Sequence, residues 1–149
     1  MNLEQNPIVR KLGVGVLRAH QLIYERSGGR VGHRLLGVPS LLLHTIGAKT
    51  GQTRTNALIY ARAGSSYVVV ASNGGASRAP GWYHNLRADP SASIQVGTER
   101  QPVIAQFLLP TDADYARMWK LVNDGNRNRY AGYQKLTSRR IPLVVLTPT

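Results

Sequence analysis

The sequence predicts a mainly β domain with flanking helices (α+β), built as a small barrel or sandwich of antiparallel strands. Three observations lead there. Short apolar runs rich in branched side chains recur between Leu41 and Leu146, each bounded by Gly, Pro, Asn or Ser. Helical stretches of about a dozen residues, which parallel strands need as crossovers, are missing between the central runs. The chain has 149 residues, 42% of them apolar, which is enough for a real core and short for more than one domain. A single domain over residues 1–149 follows.

Each element has its own signal. Ile8, Val9, Leu12, Val16, Ala19 and Ile23 fall at three- and four-residue steps, predicting an N-terminal helix over about 7–25, with Pro7 in its first turn and Gly28-Gly29 ending it. Leu41–Ile46 reads as a strand and Gly47–Arg54 as a polar loop. Ala57–Arg62 is the next strand, followed by a turn at Gly64-Ser-Ser and a strand at Tyr67–Ser72. Asn73-Gly74-Gly75 breaks the pattern, and a short helix covers Gly81–Ala88 until Pro90 stops it. Ser93–Val96 and Val103–Leu109 form two more strands, with a hairpin around Gly97–Arg100. Thr111 or Asp112 is placed to cap a helix reaching about Val122, whose Tyr115, Met118, Trp119 and Val122 share a face. Asn123–Gln134 is polar, aromatic and loop-like, and Ile141–Leu146 is a final strand.

The formal net charge is +12, and its distribution is uneven. Residues 26–88 hold Arg26, Arg30, Arg34, Lys49, Arg54, Arg62, Arg78 and Arg87 with no Asp or Glu at all. A stretch of that kind suits an anionic partner: a phosphate, an acidic cofactor, a nucleic acid or an anionic lipid surface. Arg10, Lys11 and Arg18 lie off the apolar seam of the first helix. An ordinary helix packed on the domain is the simpler reading of that segment, and a basic helix resting on a membrane face is the other. Without a secretory h-region or an apolar run long enough to span a bilayer, the expected location is the cytoplasm, with peripheral contact at the inner membrane face as the variant.

Several chemistries are excluded or disfavoured. The chain contains no cysteine, so disulfides, thiolate metal sites and a Cys nucleophile are out. His20, His33, His44 and His84 lack paired metal-ligand spacing, and no metal site is expected. Carboxylates are too few and scattered for a glycosidase pair, and no GxSxG elbow is present. A basic pocket without acid, base or metal fits a reaction in which a bound redox cofactor carries the chemistry.

Three segments can build such a pocket. Ala48-Lys-Thr-Gly-Gln-Thr-Arg-Thr-Asn56 supplies two cations, hydroxyls and a Gly turn, the ingredients of a phosphate cradle. It is not a Walker loop, because the Lys precedes the Gly. Ala71-Ser-Asn-Gly-Gly-Ala-Ser77 leaves a strand into a Gly pair that lets backbone approach a ring. Trp82-Tyr83-His84-Asn85 puts aromatic and amide groups on a short helix, and Tyr130 and Tyr133 stand beside Arg127 and Arg129 in a stretch suited to a lid over a flat ligand.

With these segments in view, the sequence resembles the deazaflavin (coenzyme F420)-dependent nitroreductase and oxidoreductase family of actinobacteria. The likeness rests on Gly47-Ala-Lys-Thr-Gly-Gln-Thr-Arg-Thr-Asn56, Val69-Val-Ala-Ser-Asn-Gly-Gly-Ala76, Pro80-Gly-Trp-Tyr-His-Asn-Leu86 with Asp89-Pro90, and Arg140-Ile-Pro-Leu-Val-Val-Leu146, in that order over about residues 41–146. It implies a split β-barrel like that of FMN-binding relatives. It also implies hydride transfer from reduced deazaflavin (F420H2) to an electron-poor acceptor: a quinone, an enone or unsaturated lactone of the coumarin or aflatoxin type, or a nitroaromatic. By the resemblance, Lys49, Thr50, Gly51, Arg54 and Asn56 hold the cofactor's phosphate and acidic tail. Ala71, Ser72, Asn73, Gly74 and Gly75 lie under its ring, and Trp82, Tyr83 and Asn85 flank it. Tyr60, Tyr130, Tyr133 and Trp82 line the acceptor pocket, with Tyr130, Tyr133 or Ser72 expected to polarise the acceptor oxygen. Ala48 and Asn73 stand where relatives carry further basic residues. The competing expectations are an FMN-binding split-barrel oxidoreductase and a basic nucleic-acid-binding barrel. A small-molecule acceptor, no nucleic acid, and a monomer or dimer complete the expectation.

Overall fold

The computed structural model describes residues 21–22, 34–35 and 38–149. The expected N-terminal helix lies outside the described residues, save Gln21 and Leu22, which are helical. Eight strands follow: β1 (Arg34–Leu35), β2 (Val38–Ile46), β3 (Thr53–Ile59), β4 (Ala61–Ala63), β5 (Ser66–Val70), β6 (Ser91–Val96), β7 (Glu99–Leu108) and β8 (Leu143–Pro148). The helices of the described core are α1 (Gly81–Ala88), α2 (Tyr115–Asp124) and α3 (Arg129–Gln134), with a 3-10 turn at Asn73–Gly75. No helix among the described residues is long and apolar enough to cross a membrane.

Every ladder is antiparallel. The hydrogen-bonded order runs β3–β2–β6–β7–β8–β5–β4, with the two-residue β1 on the start of β2. Strands β3 and β4 therefore stand at opposite ends of this order. Yet only Tyr60 separates them in the chain. A sheet whose two ends are joined by one residue has to curl until they meet, so the strands form the expected split β-barrel. The strand expected at Ala57–Arg62 is broken at Tyr60 because the chain changes ladders there: Ile59 pairs with Ser40 and Ala61 with Val68.

Two apolar clusters flank the barrel wall. Inside lie Leu41, Leu43, Tyr67, Val69, Ile94, Val103, Val144 and Leu146, plugged at one end by Trp82 and Leu86 of α1. Outside, Val68, Val70, Leu143 and Val145 pack beneath Tyr115, Met118 and Val122 of α2 and Tyr130 of α3. This assignment of alternate residues to two buried faces explains the continuous apolar runs Tyr67–Val70 and Leu143–Leu146.

Other boundaries differ from expectation for local reasons. The polar loop is shorter than Gly47–Arg54, because Thr53 and Arg54 already pair with Ile46 and Thr45. Strands β6 and β7 extend to their hairpin, where Val96 faces Glu99. Neither Thr111 nor Asp112 caps α2. The Asp112 carboxylate instead accepts the Leu109 N–H at 2.6 Å, and the helix starts at Tyr115. The stretch expected as a loop at 123–134 contains α3. That short helix is held by the Ala131 N–H donating to Asn123 Oδ1 at 2.8 Å and by burial of Tyr130.

Candidate functional site

Strand direction gathers the predicted segments at one end of the barrel. The end of β2, the start of β3, the end of β5, the end of β7 and the start of β8 all lie there, as the register of the ladders requires. The turn Gly47–Gln52 and the 3-10 turn after β5 emerge at this end, and α1 packs across it against β2.

The turn carrying Lys49 is tightly built. The Gly47 N–H donates to the Gln52 carbonyl at 2.7 Å and the Gly51 N–H to the Gly47 carbonyl at 2.8 Å. A Cβ on residue 47 would sit 2.7 Å from Thr50 Oγ1, so the turn accepts only glycine without shifting. Asn85 of α1 clasps it: Oδ1 accepts the Ala48 N–H at 3.0 Å and Nδ2 donates to Thr45 Oγ1 at 3.1 Å. Both ends of the Asn85 amide are thus spent on positioning the turn. Lys49, Thr50, Gly51 and Arg54 are exposed. Arg54 and Asn56 are strand residues rather than loop residues. Opposite Thr45 and Leu43, they continue the inward-facing row of Leu58 up to the rim.

The second turn is shaped by an unusual backbone. Asn73, Gly74 and Gly75 have φ of 46°, 62° and 83°. The Gly75 and Ala76 N–H groups donate to the Ser72 and Asn73 carbonyls. Arg139 donates to the carbonyls of Ala71, Ser72 and Ala76 at 3.1, 2.8 and 2.9 Å. Arg139 is a residue that sequence reasoning missed, since a lone Arg in the run Arg139-Arg140 carries no spacing signal. Among the described residues the N–H groups of Ser72, Asn73 and Gly74 meet no acceptor.

The aromatic candidates separate. Trp82 is only 4% exposed and belongs to the barrel core rather than to an open wall. Tyr83 is half-buried, edge-on to Phe107 at 5.6 Å. Tyr60 is not brought to this end. It follows β3 where β2 begins, its N–H donates to the Pro39 carbonyl at 3.2 Å, and its ring meets Tyr67 at 5.2 Å. On α3, Tyr133 lines an open cleft of about 460 Å³ with Arg127, Asn128, Arg129 and Gly132. Tyr130 is 6% exposed in the outer core, against which Tyr133 also packs, the two rings 6.4 Å apart.

Burial pushes the Tyr130 hydroxyl up to about 12, against the lowering effect of its hydrogen bond with Asn126. The ordinary value is 10.0, so between pH 10 and 12 the folded state keeps a proton the unfolded chain has released. Stability should therefore be constant in this term below pH 10 and fall by about 1.4 kcal/mol per unit above it. Urea titrations from pH 8 to 12 are expected to show a shallower decline for Tyr130→Phe. An identical slope in both proteins would deny the shift.

The end holds an excess of cations, and its carboxylates Asp89 and Asp112 accept backbone N–H groups of Ser91 and Leu109. Among the described residues the ion pairs are Arg117–Asp114 and Lys120–Asp124, both on α2 or its first flank. Lys49, Arg54, Arg78, Arg87 and Arg139 meet no carboxylate among the described residues. Cations without ion-pair partners beside two tight turns at one end of a split barrel suit the binding of an anionic ligand. Similarity to known proteins gives the class. The chain belongs to the F420H(2)-dependent quinone reductase family, whose model matches residues 16–148. The members of this family are oxidoreductases that use reduced coenzyme F420.

The chain is 57% identical over 139 residues to an F420H(2)-dependent quinone reductase of Mycobacterium tuberculosis (strain ATCC 25618 / H37Rv), covering 93% of each. A solved structure titled an F420-H2 dependent reductase (FDR-A) is similar at a TM-score of 0.65 and 35% identity, over 72% of this chain and 93% of that one. A second, described as a domain-swapped dimer, superposes at a TM-score of 0.68 with 31% identity, over 90% of this chain and 98% of that one.

Proposed function

We propose that this protein reduces a quinone with reduced F420, holding the cofactor's acidic tail at Lys49 and Arg54 and its ring against the Ser72–Gly75 turn. The observation that supports the reading is that the exposed Lys49 and Arg54, which form no ion pair among the described residues, stand at the same end of the barrel as the positive-φ turn at Asn73–Gly75. A phosphodiester and glutamate tail needs that donor set, and the residues fit it. When bound, reduced F420 supplies a hydride. The quinone takes up that hydride and one proton and leaves as the quinol.

The chain's own part is placement and polarisation. Lys49 and Arg54 bind the tail, and Asn85 fixes the turn that presents Lys49. Tyr133, on the open side of α3, donates its hydroxyl to the acceptor oxygen as charge develops there. Tyr130, once a candidate for that role, supports Tyr133 from within the core. Enones, unsaturated lactones and nitroaromatics share the electron-poor, flat shape that this end can receive and are proposed as further acceptors.

The test is a spectrophotometric assay of F420H2 oxidation with menadione, a coumarin and a nitroimidazole. Menadione-dependent oxidation is expected, and Tyr133→Phe should lower kcat at least about tenfold while leaving the F420 dissociation constant unchanged. Tight binding of FMN with none of F420, or no acceptor-dependent oxidation at all, would overturn the proposal.

A further inference from the structure

We propose that Arg139 is a positioning residue, whose guanidinium holds the Ser72–Ala76 turn in its ring-receiving shape and ties that turn to the helix carrying Tyr133. This rests on the ring-side reading of the turn and adds a residue to it. The guanidinium reaches three carbonyls at once: Nε donates to Ala76, and Nη2 donates to Ser72 and Ala71. A planar fork does this without strain. A lysine offers a single charged point, and a glutamine has fewer N–H groups and no charge.

Arg139 is itself anchored to α3. Its carbonyl accepts from Gln134 Nε2 at 2.7 Å, and Gln134 Oε1 accepts the Ile141 N–H at 3.0 Å. Its N–H donates to Thr137 Oγ1 at 3.3 Å. Gln134 is the last residue of α3, one position after Tyr133. A second contact joins the same two elements. A Cβ on Gly75 would lie 2.8 Å from the Tyr133 carbonyl oxygen and 3.0 Å from Leu136 Cβ, so the turn and the helix touch backbone to backbone.

The turn needs such a clamp. It carries three consecutive residues at positive φ, one of them the non-glycine Asn73, a conformation that persists only where its surroundings impose it. Burial draws the Arg139 pKa below the ordinary guanidinium value, with Tyr83 opposing. Through Arg139, the surface proposed for the ring and the helix proposed for the acceptor share one support. Their spacing is the distance a hydride must cross.

Two ligands separate this from tail binding: F420, and the tail-less deazaflavin nucleoside that retains the ring and its ribityl chain. Arg139→Gln is expected to weaken both by the same factor, about tenfold for the loss of charge-assisted contacts. Lys49→Ala with Arg54→Ala should weaken F420 alone. Hydrogen exchange at Ser72–Ala76 should quicken in Arg139→Gln, with the barrel ladders unchanged. Should that variant fail to fold, Arg139→Lys decides, because it keeps the charge and loses the fork; it too should bind the nucleoside more weakly. Wild-type nucleoside affinity in either folded variant would overturn the assignment. A wild-type protein that binds neither ligand would remove the cofactor reading on which it rests.

Discussion

Replacing Lys49 and Arg54 together by alanine is expected to raise the F420 dissociation constant by about tenfold or more, with the fold unaffected. Hydrogen bonds to charged groups contribute about 1.5–3 kcal/mol each, and two are removed, so tenfold is a floor. Both side chains are exposed, and neither has an ion-pair partner among the described residues, so the folded state loses little with them. Added salt should reproduce part of the effect in the wild type, because exposed charges are screened over a Debye length of about 10 Å at 0.1 M. Fluorescence titration at two ionic strengths checks both parts. An unchanged constant in the double variant would put the tail elsewhere, with Arg78 and Arg87, neither ion-paired among the described residues, as the next candidates.

The second large effect is one of stability. Trp82→Ala should cost about 3–5 kcal/mol, lowering the melting temperature by about 10 °C, since it empties the plug of the barrel core. As a wall of an acceptor pocket, Trp82 would instead change the acceptor KM with little change in melting. The structure favours stability, given that only 4% of the residue is exposed. The damage should travel, because α1 also carries Asn85, the clasp on the Lys49 turn. Reduced F420 affinity is therefore expected in Trp82→Ala but not in Trp82→Phe, which keeps most of the buried ring.

What could be read from the sequence depended on how local its causes were. Helix α1 was legible to the residue, because Pro80 and Pro90 punctuate it on both sides. The strand centres were legible from branched apolar runs, whereas their ends were not, since pairing partners far along the chain decide where a ladder stops. Helix α3 escaped because six residues carry no helical period, and isolated helices of that length do not hold; its support comes from Asn123 and the burial of Tyr130. The charge pattern pointed to Lys49 and Arg54, which the ladders place at one end. It could not show that Tyr60 sits at the other, nor that Trp82 faces inward, because both depend on which sheet face closes on itself. Arg139 was invisible for a related reason: its role consists of backbone carbonyls more than sixty residues away in the chain.

The single residue between β3 and β4 also bears on how the molecule is made. It turns the sheet order into a ring in which each ladder is a link. The link between β7 and β5 is β8, which follows all the other strands in the chain. During synthesis the hairpins β2–β3, β4–β5 and β6–β7 can each form as soon as they emerge, since their contacts are local. The ring cannot shut before residues 143–148 arrive, and until then β5 and β7 both present open edges to other chains. The nascent chain is consequently most prone to aggregate just before β8 emerges, and that strand relieves the exposure on both sides at once.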